Sequence, residues 1–250
     1  MLCAAVLPRL SPPRKRGAVS YGDVQSANVV GYQNVALPNG NVMLTPTFET
    51  VNGETHTVQD MKPVDAPGDG SIVLQTMNED GSAWQGEYQW WTLTDMGMPD
   101  GWYEPIMGEL ATDELISGKA VMINCPVNGI AIQMVGQVIK GESANLCAAG
   151  YTMTGNNSPV QITVGDLKVT NADGSPAAGD GSIVLQTMNA DGSAWQGEYQ
   201  WWTLTDMGMP DGWYEPIMGE PATEILTPGL STMVSSPAND IKVIVPSAIK

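Results

Sequence analysis

Residues 68 to 109 and 179 to 220 match at 41 of 42 positions, the one difference being Glu79 against Ala190. A block recurring at a fixed offset of 111 residues obliges the chain to build the same local structure twice, because identical sequence carries identical turn chemistry and hydrophobic pattern. The offset continues without a gap into 110 to 139 against 221 to 250, where only eight of 30 positions agree, among them Leu115/Leu226, Gly118/Gly229, Met122/Met233 and Pro126/Pro237. Upstream, Val30-Gly31 is matched to Val135-Gly136, Phe48 to Tyr151, and residues 58 to 62 to residues 164 to 168. The expectation is an internal duplication with two tandem domains, 27 to 134 and 135 to 250, behind a leader of residues 1 to 26. Units of roughly 110 residues are large enough to bury most of their unfolded surface. Recent copying explains the contrast between block and flanks better than constraint, which has no reason to preserve turn residues such as Asp80 and Ser82.

The local signals are β. Short apolar or alternating runs occur at 71 to 77, 84 to 93, 119 to 125 and 130 to 139, separated by turn formers at Asn78-Glu79-Asp80-Gly81, Met98-Pro99-Asp100-Gly101 and Pro126-Val127-Asn128-Gly129. Such spacing predicts an all-β fold, each domain a sandwich or a barrel. Ala111 to Ser117, with Asp113 and Glu114 early and Gly118 after it, has the pattern of a single helical turn. In the run from Trp84, period-two alternation puts Trp84, Tyr88 and Trp90 on a core face, with Gln85, Glu87, Gln89, Trp91 and Leu93 on the other. All eight Trp lie in the two blocks, and Trp102 and Trp213, just after Asp-Gly turns, are placed to cap a sandwich end.

Charge narrows the partners. Ten Lys and Arg against 27 Asp and Glu give a net charge of -17, which repels nucleic acid and anionic lipid. No apolar run is long enough to span a bilayer as a helix. Arg9, Arg14, Lys15 and Arg16 are the only charges before residue 17, so residues 17 to 250 carry six Lys against all 27 acids. The first residues are thus foreign in composition to the rest. Their apolar run precedes its positive charges and is cut by Pro8, the reverse of a secretion signal, so the leader is expected to be disordered or atypical.

The segment DVQSANVVGYQNVALPNG at 23 to 40, with QWWTL and DGWYEP downstream, resembles a group of exported bacterial proteins of unknown function. In that group a secretion signal ends just before a SANVVGY-like segment and a Trp-containing β domain follows. The resemblance implies export and a β fold; it rests on a motif without catalytic content and transfers no site residues.

Candidate chemistry is sparse. Asn78-x-Asp80-Gly81-Ser82, Asn171-x-Asp173-Gly174-Ser175 and Asn189-x-Asp191-Gly192-Ser193 open like calcium loops, but Ala83 and Gln89 stand where an EF-hand counted from Asn78 needs Gly and Glu. Hairpin turns account for them. Glu87, Asp95, Asp100 and Glu104, with Glu198, Asp206, Asp211 and Glu215, are the carboxylates that a glycosidase would draw on, yet nothing specifies a pair. The single histidine, His56, reads as a surface strand residue. Cys3, Cys125 and Cys147 form no CxxC motif, and the last two read as buried thiols, with a bridge between them in an oxidising compartment as the alternative. No catalytic residue, metal site or cofactor is assigned.

The reading is a non-enzymatic, extracellular or surface-associated structural or interaction protein whose partner is a protein or a polysaccharide. The alternative is a carbohydrate-binding module, with Trp91 and Gln89 in the first copy and Trp202 and Gln200 in the second as ligand-binding residues. A glycoside-active enzyme ranks below both. Indole faces stack on sugar rings, and the adjacent amides can hydrogen-bond hydroxyls.

Overall fold

The computed structural model describes residues 30–248 except 50–54, 107, 117 and 218; the leader and the first part of the SANVVGY segment lie outside the described residues. Every regular element among the described residues is a strand or a three-residue 3-10 turn. No helix among them is long and apolar enough to cross a membrane.

The first nine strands are β1 (Val30–Leu37), β2 (Gly40–Leu44), β3 (Phe48–Glu49), β4 (Lys62–Val64), β5 (Asp69–Met77), β6 (Trp84–Trp91), β7 (Gly101–Tyr103), β8 (Val121–Cys125) and β9 (Ile130–Val138). Ten more follow: β10 (Ser143–Cys147), β11 (Gly150–Gly155), β12 (Ile162–Thr163), β13 (Lys168–Asn171), β14 (Asp180–Met188), β15 (Trp195–Trp202), β16 (Gly212–Tyr214), β17 (Ile225–Leu226), β18 (Ser231–Ser236) and β19 (Ile241–Val245). Two five-stranded antiparallel sheets have the orders β2-β8-β5-β6-β7 and β11-β18-β14-β15-β16. Beside them stand β1-β9-β3, with β4 also on β9, and β10-β19-β13; β12 and β17 pair alone.

Buried side chains form two clusters. The first joins Leu37, Ile130, Ile132 and Met134 of the β1/β9 sheet to Leu74, Tyr88, Trp90 and Ile123 of the first five-stranded sheet. The second joins Val169, Ile241 and Val243 to Leu185, Tyr199, Trp201 and Val234. In each case two sheets meet across one core. Trp102 and Trp213 sit in the middle of these clusters instead of capping their ends, edge-on to Trp90 and Trp201 with ring centroids 5.5 and 5.6 Å apart. Such aromatic pairs add about 0.5–1.5 kcal/mol beyond the area they bury.

Three sequence expectations are corrected by pairing. The boundary placed at 134/135 falls inside β9, whose ladder to β1, β3 and β4 runs on to Val138; the next sheet begins at Ser143. Val30-Gly31 and Val135-Gly136 are cross-strand neighbours, since Gly31 pairs with Gly136 and Tyr32 with Val135. Their likeness has a packing cause: a Cβ on either glycine would strike Phe48, the chain's only Phe. Ala111 to Ile116 is extended, because Val58 donates its N–H to Asp113 O and Leu115 donates its own to His56 O, which spends the backbone groups a helical turn needs.

The two five-stranded sheets close on each other reciprocally. Met43 N–H donates to Gly192 O, and Met153 N–H to Gly81 O. Leu44 bridges Leu230, and Thr154 bridges Lys119. The tips of the hairpins at 78–83 and 189–194 thus each supply a carbonyl to the edge strand of the other sheet, in the manner of an isologous contact. One difference marks the two sides. Lys119 is 6% exposed and its Nζ donates to the carbonyls of Leu146 and Asp80, while the matching position is the apolar Leu230.

Candidate functional site

Each five-stranded sheet has one face against its core and one face open. Along β6, Tyr88 and Trp90 are buried while Glu87 is exposed and Gln89 and Trp91 are half-buried; Tyr199, Trp201, Glu198, Gln200 and Trp202 repeat this along β15. The alternation read from the sequence therefore holds over these positions. Trp84 departs from it. Expected in the core, it is 39% exposed, and Trp195 is 40% exposed; Leu93, expected on the outer face, is buried, because the strand and its alternation end at Trp91. The ladder slips between Thr76/Gly86 and Met77/Trp84, and the Tyr88 hydroxyl lies where a Cβ on Gly86 would sit, so Tyr88 fills the space that an inward Trp84 needs.

The two outward indoles are held in place by glycine. A bulge interrupts the ladder between Asp69/Trp91 and Val73/Gln89, with Gly70 inside it at φ +80 and Gly181 at φ +81 in the equivalent bulge. A Cβ on Gly70 would lie 2.3 Å from Trp91 Cζ2, and one on Gly181 2.3 Å from Trp202 Cζ2. Only glycine permits both the backbone angle and the ring against it. The Asp69 carboxylate closes the bulge by accepting from the N–H and hydroxyl of Ser71. That hydroxyl is the main reason the Asp69 pKa lies below its ordinary value of 3.8, and Ser182 does the same for Asp180.

Cross-strand register assembles the rest of each open face. In the first sheet Asn41, Asn124, Val73 and Gln89 form one row; in the second the row is Tyr151, Ser235, Val184 and Gln200. Among the described residues the amides of Gln89 and Gln200 have no hydrogen-bond partner, whereas Gln75 and Gln186 are tied to Glu87 and Glu198. The sequence pattern signalled Trp91, Gln89, Trp202 and Gln200; it missed Tyr151, which reaches this face only through pairing of β11 with β18.

The acidic residues divide by role. Asp100 accepts from the N–H groups of Leu93 and Thr94 and from the Thr94 hydroxyl, and Asp211 does so from Leu204 and Thr205; both stabilise turns. Asn78 and Asp80 likewise turn their oxygens onto Ser82 and Ala83. Glu87 and Glu104 do come together, in a cleft of about 440 Å³ with Tyr88, Ile106 and Asp113. Glu198, Glu215, Tyr199, Ile217 and Glu224 line a matching one of about 500 Å³. Asp95 and Asp206 line neither cleft. Burial first, and then Asp113 or Glu224, push the two tyrosines far up, so their hydroxyls remain protonated donors. Among the described residues no three His, Cys, Asp or Glu are grouped so as to hold a metal ion.

His56 is not a surface residue: its side chain is largely buried, with Nδ1 3.5 Å from Asp60 and Nε2 without a partner among the described residues. Cys125 and Cys147 are free, buried thiols in separate cores; burial pushes the Cys147 pKa up to about 11. No protein-family model matches the sequence, and no curated protein matches it either.

Proposed function

We propose that this chain is a non-enzymatic, exported or surface-associated interaction protein, made of two tandem sandwich-like β domains that arose by internal duplication. The duplication is supported by the shared strand order of the five-stranded sheets and by ladder pairs that recur 111 residues apart, such as Val73/Gln89 and Val184/Gln200. Export rests on the SANVVGY-like resemblance alone. Polysaccharide is the partner class best supported, and one observation carries it: each open face presents a Trp fixed over a bulge glycine beside a Gln amide with no internal partner. A ring already packed against the backbone loses little further side-chain entropy on meeting a sugar. The excess of carboxylates argues for a neutral glycan, since uronic acids and sulfated sugars would meet repulsion.

A glycan array together with pull-down on insoluble polysaccharides tests the partner class. Retention by a neutral glycan, abolished in Trp91→Ala/Trp202→Ala, is the expected result, and no retention by any glycan refutes it. A broad glycoside hydrolase screen is expected to show no turnover. The N-terminus of the protein isolated from its native cells, measured by mass spectrometry, together with its cell fraction, tests export.

A further inference from the structure

The two open faces are not equivalent, and the difference lies outside the copied block. On the first, the position paired across from Asn124 is Asn41, and the two amides satisfy each other, Asn124 Nδ2 donating to Asn41 Oδ1 at 2.7 Å. On the second, that row holds Tyr151 opposite Ser235. Tyr151 is 63% exposed. It shares the open face with Trp202, because Thr152 and Thr154 point inward from β11 while Tyr199 and Trp201 point inward from β15.

Three inter-strand steps separate β11 from β15, which is about 14 Å, and Trp202 lies two residues, about 7 Å, along β15 from Gln200, so the aromatic positions are roughly 16 Å apart. Between them lie the Val184 side chain, the Ser235 hydroxyl and the Gln200 amide, the last two without a partner among the described residues. No Lys or Arg stands on this row, and the acids Asp180 and Glu198 lie beside it on β14 and β15.

We infer that the second sheet carries an extended site for a linear neutral glycan, which crosses the strands from Tyr151 to Trp202, and that the first sheet is at most an auxiliary site with Trp91 alone. The inference rests on the polysaccharide reading above and adds direction, length and the identity of the stronger copy. Tyr151 and Trp202 stack on rings at the two ends of the bound segment. Gln200 and Ser235 hydrogen-bond hydroxyls between them, and Val184 forms an apolar floor beneath. Both partner-free polar groups are satisfied on binding, and a polar group that exchanges water for a well-placed ligand hydroxyl discriminates strongly against ligands lacking it.

The test uses the full chain in native affinity gels that contain soluble neutral glucans, mannans or xylans, with a polyuronate as the anionic control. Variants are Tyr151→Ala, Tyr151→Phe, Trp202→Ala and Trp91→Ala, each checked by near-UV circular dichroism. Retardation by at least one neutral polysaccharide is expected, weakened roughly tenfold or more by Tyr151→Ala and Trp202→Ala. Tyr151→Phe retains it, and Trp91→Ala changes it by about twofold or less. For the retarding polysaccharide, affinity for its oligosaccharides climbs between the disaccharide and the pentasaccharide. Retardation that depends on Trp91 and is indifferent to Tyr151 overturns this inference while leaving the glycan reading intact. Absence of retardation in every neutral gel, or retardation in the polyuronate gel alone, overturns both. If Trp202→Ala fails to fold, Tyr151→Ala decides the matter, because a side chain so exposed is dispensable for packing.

Discussion

Replacing Lys119 by Met tests whether the reciprocal contact between the two halves depends on a buried ammonium. Lys119 Nζ donates to Asp80 O at 3.1 Å and to Leu146 O, one carbonyl from each half. Hydrogen bonds to a charged donor are worth about 1.5–3 kcal/mol each, and a carbonyl left unsatisfied costs about 1–3 kcal/mol. Against that stands the cost of burying the ammonium, several kcal/mol. Burial is also what lowers the Lys119 pKa from 10.5, with the Asp80 carboxylate and Cys147 only partly opposing it. Met keeps the stem and removes both the bonds and the buried charge, so the net loss is about 2 kcal/mol. At a urea slope of about 2–3 kcal/mol/M, that moves the midpoint down by somewhat under 1 M. Trp fluorescence follows the transition. The sign of the pH dependence is fixed too. The folded pKa lies below the unfolded one, so the folded state binds fewer protons in the window beneath 10.5, and wild-type stability gains from this group as pH rises through it. The gap between wild type and Lys119→Met therefore widens toward alkaline pH. A variant as stable as wild type at pH 7, or a gap that narrows on raising the pH, refutes the reasoning.

Gly70→Ala and Gly181→Ala each force a Cβ into the Trp91 or Trp202 ring at a positive φ; a loss of about 1–3 kcal/mol and greater acrylamide quenching of Trp fluorescence are expected. Trp102→Phe removes an N–H that donates to Met61 O at 2.7 Å, whereas the Trp213 N–H has no partner among the described residues. The first substitution should therefore cost about 1 kcal/mol more than Trp213→Phe in urea titrations. Asp69, Asp80, Asp100, Asp173, Asp180, Asp191 and Asp211 all have pKa values lowered from 3.8, chiefly by a neighbouring Ser or Thr hydroxyl. Their contribution is complete above 3.8 and disappears as pH falls through the lower folded values, so urea midpoints should fall steeply below about pH 4 and depend little on these groups above pH 5.

Strand runs 71 to 77, 84 to 93, 119 to 125 and 130 to 139 were legible because alternation and flanking turn residues are local properties, and they correspond to β5, β6, β8 and β9. The inward Tyr88 and Trp90 and the outward Trp91 and Gln89 were legible for the same reason. Trp84 was not, since the ladder slip and the ring of Tyr88 folded over Gly86 depend on a partner strand. Tyr151 was matched in sequence to Phe48, yet Tyr151 faces solvent on β11 while Phe48 is buried against Gly31 and Gly136. Single-strand periodicity cannot tell which sheet a strand will join, and the face of Tyr151 follows from that choice. The reciprocal closure through Met43 and Met153 was invisible because it joins backbone groups, which carry no residue signature.

The two near-identical blocks occupy surroundings that differ, and this bears on why they are so alike. Trp102 has Met61 O as acceptor, while Trp213, identical in sequence context, has none among the described residues. Gly81 packs on Lys119 and Thr152; Gly192 packs on Leu230 and Val42. Glu79 lines a cleft with Glu49, His56, Asp113 and Glu114, and its counterpart Ala190 lines one with Met188, Glu224, Ile225, Leu226 and Leu230. Selection acting separately on each block would tune it to these different neighbours, beginning with the unsatisfied Trp213 N–H, which stands to gain about 1 kcal/mol or more from a partner. On the proposed duplication, identity at 41 of 42 positions in unlike environments is what copying leaves before such tuning has acted. On that proposal, the one replacement that has occurred, Glu79 against Ala190, sits where the neighbouring side chains differ in charge, three further acids on one side and Glu224 alone on the other. Reversing it with Ala190→Glu places a carboxylate beside Leu226 and Leu230 and should destabilise the protein, whereas Glu79→Ala relieves repulsion among four acids and should be neutral or stabilising in the same urea titration. Equal effects of the two substitutions would show that the clefts have not diverged in the way their linings indicate.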